Sequence, residues 1–174
     1  MKKVIVTFLC FIVVHSAYGG LFGRKVDGII RVTGGAGLTA DVDVGGGDRF
    51  QYNFGTELYK AWGEEWLYVA VGLGLGYTRL YKIELTGVSQ TGTFVNTLLL
   101  GEIKVFVFNL KLGLGPYWGI GDTSEVVFVT RLEGGIDLPL SKSISLPITI
   151  KTDFLFGSDF SIPLSLSTGL TFYL

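Results

Sequence analysis

From residue 26 onward, apolar side chains recur at every second position through segment after segment of the chain. Period two is the mark of β-strands whose two faces meet different surroundings, so the alternation restricts the chain to an all-β fold. In the segment 26–44 the even positions carry Val26, Ile30, Val32, Ala36, Leu38 and Val44, while Asp27, Arg31, Thr33, Thr39, Asp41 and Asp43 lie between them. The next segment puts Phe50, Tyr52, Phe54 and Leu58 on one face and Arg49, Gln51, Asn53 and Glu57 on the other. Leu67, Val69, Val71, Leu73, Leu75 and Tyr77 follow.

Later segments keep the scheme. Leu110, Leu112, Leu114 and Trp118 alternate with Lys111, Gly113, Gly115 and Tyr117. Phe128, Leu132, Ile136 and Leu138 alternate with Arg131, Glu133, Gly135 and Asp137. Ile144 to Phe156 and Ile162 to Leu174 close the series, with Lys151 and Asp153 on the polar phase of the former. In the segment 94–105 the pattern is weakest, and Val95, Leu99, Ile103 and Val105 are taken as its apolar face. Turn signals at 45–48, 63–65, 86–93, 121–125, 141–143 and 157–159 divide these runs. The reading is eight antiparallel strands with no helix and no linker.

The start of the chain reads differently. Lys2 and Lys3 precede an apolar run at 4–14, and Ala17-Tyr18-Gly19 offers small residues for cleavage. The run is too short for a membrane helix, which needs about 20 residues, and predicts a secretory signal peptide at 1–19 with the domain at 20–174. Cys10 and His15 would leave with it. The remaining chain would have neither thiol nor imidazole, which excludes disulfides and metal sites built on those ligands. Its fifteen acidic and twelve basic residues give a net charge of −3, too mild to imply nucleic acid as a partner.

The polar face decides which way the apolar face looks. It holds Arg31, Asp43, Arg49, Glu57, Lys111, Arg131, Glu133, Asp137, Lys151 and Asp153 among glycines, serines and threonines. A three-residue turn at 141–143 sets Glu133 opposite Lys151 and Arg131 opposite Asp153, and a turn at 45–47 sets Asp43 opposite Arg49. Opposite charges paired in one register fit an enclosed lumen, where both partners are satisfied. The apolar face then turns outward, to lipid.

The stretch "VAVGLGLGY" at 69–77 superficially suggests a phosphate loop. A dinucleotide motif would need glycine at position 77, which is Tyr77, and a following helix. Gly72, Gly74, Gly76, Gly113 and Gly115 instead read as lumen spacers that leave room for long side chains in a narrow barrel. The expected partners are Glu57 for Gly72, Gly55 for Gly74, Asn53 for Gly76, Glu133 for Gly113 and Arg131 for Gly115.

A sheet spans a bilayer only when closed, and an even strand number brings both termini to one side. Trp62 and Trp66 beside one turn, and Trp118, are candidate interface aromatics. The first and third strands look longer than a membrane needs, so the hairpin built on the first is expected to rise above the outer leaflet. Arg79, on the outward phase, is a candidate contact for lipid headgroups or a snorkelling charge.

The leader, "LLLGEIKVFVFNLKLGLGPYWGIG" (98–121), "RLEGGIDLPLSKSISLPITIKTDFLFG" (131–157) and "LSLSTGLTFYL" (164–174) together resemble the small eight-stranded bacterial outer-membrane barrels of the OmpA/OmpX and OmpW types. The last strand is similar to the signal read by the barrel assembly machinery, although it ends in Leu174 with Phe172 and Tyr173 beside it. The resemblance implies a monomeric closed up-and-down transmembrane β-barrel among outer-membrane lipids such as lipopolysaccharide. It implies no cofactor. Enzymatic barrels of this size resemble one another in using a histidine base, which the chain beyond residue 19 lacks. The expected role is structural or surface-interacting. The alternatives are a narrow channel for small or apolar solutes, as in the OmpW type, and a soluble lipocalin-like carrier.

Overall fold

A computed structural model describes residues 24–41, 49–84, 87–120, 126–156 and 160–174. For residues 39–41, 49, 82–84, 87–91 and 160–161 it describes the backbone alone. Eight strands run in order: β1 (Gly28–Asp41), β2 (Arg49–Glu64), β3 (Leu67–Glu84), β4 (Gly87–Val105), β5 (Phe108–Gly119), β6 (Val126–Pro139), β7 (Ile144–Phe156) and β8 (Phe160–Tyr173). Each pairs antiparallel with its sequence neighbours, and β1 pairs with β8, closing the sheet into a barrel. Closure leaves no free edge, which is what allows a sheet to stand in lipid.

Three connections at the end of the barrel where β1 begins and β8 ends are tight. Glu64 pairs with Leu67 across a two-residue turn, and Val105 pairs with Phe108 across another. Gly63 has φ 138°, and a Cβ there would stand 2.3 Å from the Leu67 carbonyl oxygen, so only glycine fits. Phe106 takes φ 58°, a left-handed conformation costly for a bulky residue. The third turn, 140–143, is closed by Leu140 and Ser141 amides donating to the Ile144 carbonyl.

The strand lengths correct one expectation. The expected turn at 86–93 is largely strand: β4 begins at Gly87 and pairs with the end of β3, past an irregularity at Leu80/Tyr81. The β-branched residues Val88, Thr91 and Thr93 favour extended backbone despite the glycines. Among the described residues the longest hairpin is β3–β4, with strands of 18 and 19 residues. The described part of β1 has 14 residues, and the expected turn at 45–48 lies outside the described residues.

The two faces are sharply distinct. Leu67, Val69, Val71, Leu73 and Leu75 of β3 are 43–62% exposed on the outer wall, joined by Leu110, Leu112 and Leu114 of β5 and Leu164, Leu166 and Leu170 of β8. In β4, Leu99, Ile103 and Val105 point outward as expected. The interior holds an apolar set, including Ile29, Ala61, Tyr68, Leu98, Leu100, Val129 and Tyr173, together with a large group of buried charges. Val26 departs from the expected outward phase: it precedes β1, donates to the Gly63 carbonyl and is fully buried at the mouth.

Candidate functional site

The barrel axis carries the molecule's concentrated chemistry. Arg31, Lys104, Lys111, Arg131 and Lys151 face Glu57, Glu102, Glu133, Asp137 and Asp153, and all ten are buried. An unpaired charge in such surroundings costs several kcal/mol, so the pairing geometry sets whether the barrel can close at all.

One layer centres on Arg31. Its Nη1 lies 2.7 Å from Glu102 Oε2 and its Nη2 donates to Glu102 Oε1 at 3.0 Å, a two-point contact from β1 to β4. The same guanidinium reaches Glu57 at 3.3 Å and Asp137 at 3.5 Å, and Nε donates to the Thr171 hydroxyl at 2.8 Å. Lys111 bridges Glu57 at 3.0 Å and Glu133. Tyrosines take up further lone pairs: Tyr59 donates to Glu57 at 2.9 Å and Tyr68 to Glu102 at 2.7 Å. Lys104 donates to the Tyr173 hydroxyl at 2.6 Å, and Asp137 accepts from Tyr173 and from Asn109 Nδ2.

A second layer lies toward the other end. Arg131 holds Asp153 through Nε at 2.7 Å and Nη2 at 3.0 Å, and Tyr117 donates to Asp153 at 2.5 Å. Lys151 donates to Asn53 Oδ1 at 2.7 Å. Between the layers is a cavity of about 10 Å³, room for about one water molecule, lined in part by Gly74, Gly76, Asn96, Glu133 and Lys151.

Of the residues singled out from the sequence, Arg31, Glu57, Lys111, Arg131, Glu133, Asp137, Lys151 and Asp153 all sit on this inner face. Glu133 is opposite Lys151 and Arg131 opposite Asp153, in the register derived from the turn at 141–143. Arg49 pairs with Thr39, not with Asp43; Asp43 lies outside the described residues. Two other registers differ by two residues. Trp62 pairs with Val69, so Gly72 is opposite Tyr59, Gly74 opposite Glu57 and Gly76 opposite Gly55. On β5, Gly113 is opposite Arg131 and Gly115 opposite Val129. A two-residue slip keeps every side chain on its face, which is why alternation alone does not detect it.

What the glycines make room for also differs from expectation. A Cβ at Gly74 would meet Leu100 at 2.9 Å, at Gly76 the Asn96 amide at 2.6 Å, and at Gly113 Leu100 at 2.8 Å. At Gly72 and Gly115 it would strike the backbone oxygens of Leu58 and Thr97 at 2.2 and 2.1 Å. The neighbours are thus branched side chains and strand backbones more than long charged groups.

Glu102, Lys104, Tyr59, Tyr68 and Tyr173 were not singled out from the sequence. The signal was present: all continue the phase opposite the outward residues of their strands.

At the mouth by the termini, Glu65 is buried in the β2–β3 turn and its Oε2 has no partner among the described residues. Burial raises its carboxyl above the usual carboxylate range, and the more distant Arg24 and Lys104 offset this only in part. Arg24 crosses the same mouth to the Lys142 carbonyl at 2.9 Å and the Ser143 hydroxyl. On the outer wall, Trp62 is 55% exposed and Trp66 stacks on Phe106 with centroids 5.6 Å apart, while Trp118 marks the opposite end of the barrel. Arg79 also points outward, its Nη1 donating to Tyr52 Oη at 3.1 Å.

No family model matches the sequence, and no curated protein does. Among solved structures, Neisserial surface protein A is similar with a TM-score of 0.54 and 10% identity, over 87% of this chain and 100% of that one. A de novo designed transmembrane β-barrel gives 0.43 at 10% identity over 87% and 98%. Ail, the attachment invasion locus protein of Yersinia pestis, gives 0.31 at 9% over 86% and 100%. The first likeness is one of fold, that of a small eight-stranded outer-membrane barrel; the other two are too loose to carry an argument.

Proposed function

We propose that this chain is an integral β-barrel of the bacterial outer membrane, with a structural or surface-interaction role and a lumen filled by ion pairs. The observation that carries this reading is the inverted distribution of side chains. A belt of leucine, valine and phenylalanine covers the outside, while arginine, lysine and carboxylates are sealed within. In water that arrangement would expose a continuous apolar surface far larger than monomeric proteins tolerate. In a bilayer it is the stable one. A soluble carrier needs the opposite orientation.

The crowded axis favours a closed barrel over a solute conduit, because ion pairs cross it from β1 to β4 and the cavity between the two layers has room for about one water molecule. The lumen carboxylates are engaged by cations and tyrosine hydroxyls, which suits a scaffold better than a general base. Export by the leader, insertion by the barrel assembly machinery and a monomeric state belong to the same proposal. The test is folding from urea into detergent micelles or lipid vesicles, read by gel mobility before and after boiling. The reading predicts a heat-modifiable band that forms only with amphiphile; a water-soluble folded monomer without amphiphile would overturn it.

A further inference from the structure

Arg79 stands on the outer wall, surrounded by tyrosines. Tyr52 is its cross-strand partner on β2, and Tyr77 and Tyr81 flank it on β3 with the same outward phase. The Tyr52 ring is central to the group, 5.7 Å from Tyr81, 6.5 Å from Tyr77 and 5.9 Å from Phe54. Arg79 Nη1 donates to Tyr52 Oη at 3.1 Å, and Tyr81 Oη donates to the same oxygen at 3.3 Å. No carboxylate among the described residues forms an ion pair with Arg79, so a partly exposed cation with five N–H donors faces out of the wall with no anionic partner among them.

Its height gives that cation a meaning. The apolar outward run of β3 spans Leu67 to Leu75 and gives way to Tyr-Arg-Tyr at alternate positions from Tyr77. From Leu67 to Tyr77 a strand covers about 33 Å, and at a tilt of about 40° this crosses roughly 25 Å of bilayer, the height of the lipid-facing band of such barrels. The terminal end of that band is marked by Trp62, Trp66 and Phe106. Arg79 therefore lies just beyond the hydrocarbon on the opposite side, level with the headgroups and facing lipid rather than the lumen.

We propose that Arg79, Tyr52 and Tyr81 form a binding site for the phosphate of a lipid in the outer leaflet, an inference that rests on the membrane reading above. Charge complementarity selects the occupant. A guanidinium offers short charge-assisted bonds to phosphate oxygens, and the Tyr52 hydroxyl, which accepts from Arg79 and Tyr81, keeps its own O–H as a further donor. The tyrosine rings pack the apolar base of the headgroup, as aromatic girdles do.

The experiment reconstitutes the barrel in nanodiscs of phosphatidylcholine doped with bisphosphorylated lipid A and counts retained lipids by native mass spectrometry. Wild type is expected to retain lipid A over phosphatidylcholine, Arg79→Gln to lose roughly tenfold in retention, and Tyr52→Phe to lose less, all three remaining heat-modifiable. Equal retention by wild type and Arg79→Gln, or no preference over phosphatidylcholine, overturns the site while leaving the membrane reading intact. Displacement by excess inorganic phosphate overturns the assignment to a lipid. Failure of the wild-type barrel to enter nanodiscs overturns both.

Discussion

Arg31 and Glu102 are 71 residues apart, on strands that are not neighbours, and meet across the barrel axis through two parallel N–H···O contacts of 2.7 and 3.0 Å. The pair ties β1 to β4, and through Glu57 and Asp137 the same guanidinium also touches β2 and β6. Removing Arg31 leaves three buried carboxylates with diminished compensation. Arg31→Met is expected to cost about 3–5 kcal/mol, measured by urea unfolding in lipid vesicles. Arg31→Met/Glu102→Gln should recover part of that loss, with a coupling energy of about 0.5–3 kcal/mol; strict additivity would show that the contact carries no energy.

The glycines separate into sites with and without room. Gly115→Ala would drive a Cβ into the Thr97 carbonyl oxygen at 2.1 Å, whereas a Cβ at Gly101 meets nothing within 4 Å. Gly115→Ala is therefore expected to lower stability by about 1–3 kcal/mol. Gly101→Ala should stay within about 0.5 kcal/mol of wild type. Equal effects at the two positions would remove the spacer account.

Glu65 gives a pH signature. Its carboxyl is raised by burial in the folded barrel, so the folded state favours the protonated form more than the unfolded chain does. The stability it supports is fully present below the unfolded value, about 4.3, and is lost as pH rises through the folded value. Glu65→Gln, which keeps a neutral side chain at every pH, should be more stable than wild type at neutral pH. The difference should vanish below about pH 4. Unfolding midpoints measured across that range decide it; a constant offset would point to packing instead.

Much of this architecture is legible in the sequence, because period two fixes which face each residue takes. The β6–β7 register follows from a short turn with well-marked ends, and with it Glu133–Lys151 and Arg131–Asp153. Elsewhere the ends were less well marked. The β2–β3 turn is tighter than expected, moving Trp62 from Leu67 to Val69, and such even slips are invisible to hydropathy. Glu102 and Lys104 escaped notice because their phase on β4 also contains Leu98 and Leu100, which blurs its polarity. Contacts such as Arg31–Glu102 depend on how the sheet curls, and no local pattern encodes which distant strands face each other across the axis.

The proposal of a lumen filled by ion pairs predicts electrical silence. On the proposed reading, Lys111 bridging Glu57 and Glu133 and Arg31 spanning to Glu102 block the axis to hydrated ions. The refolded protein in planar bilayers should give no discrete conductance steps. Reproducible steps that scale with salt would favour the channel alternative and require the ion-pair layers to move.

The outward direction of the apolar wall is tested most directly by fluorescence quenching from within the bilayer. Single cysteines at Leu73, Leu112 and Leu166, in a Cys10→Ser background, are labelled with bimane and the barrel is refolded into vesicles containing spin-labelled acyl chains. All three positions are more than half exposed on different strands of the outer wall. The account predicts strong quenching at every one. Labels that remain bright in a chain that is folded would mean that these residues face the axis, and would contradict the account.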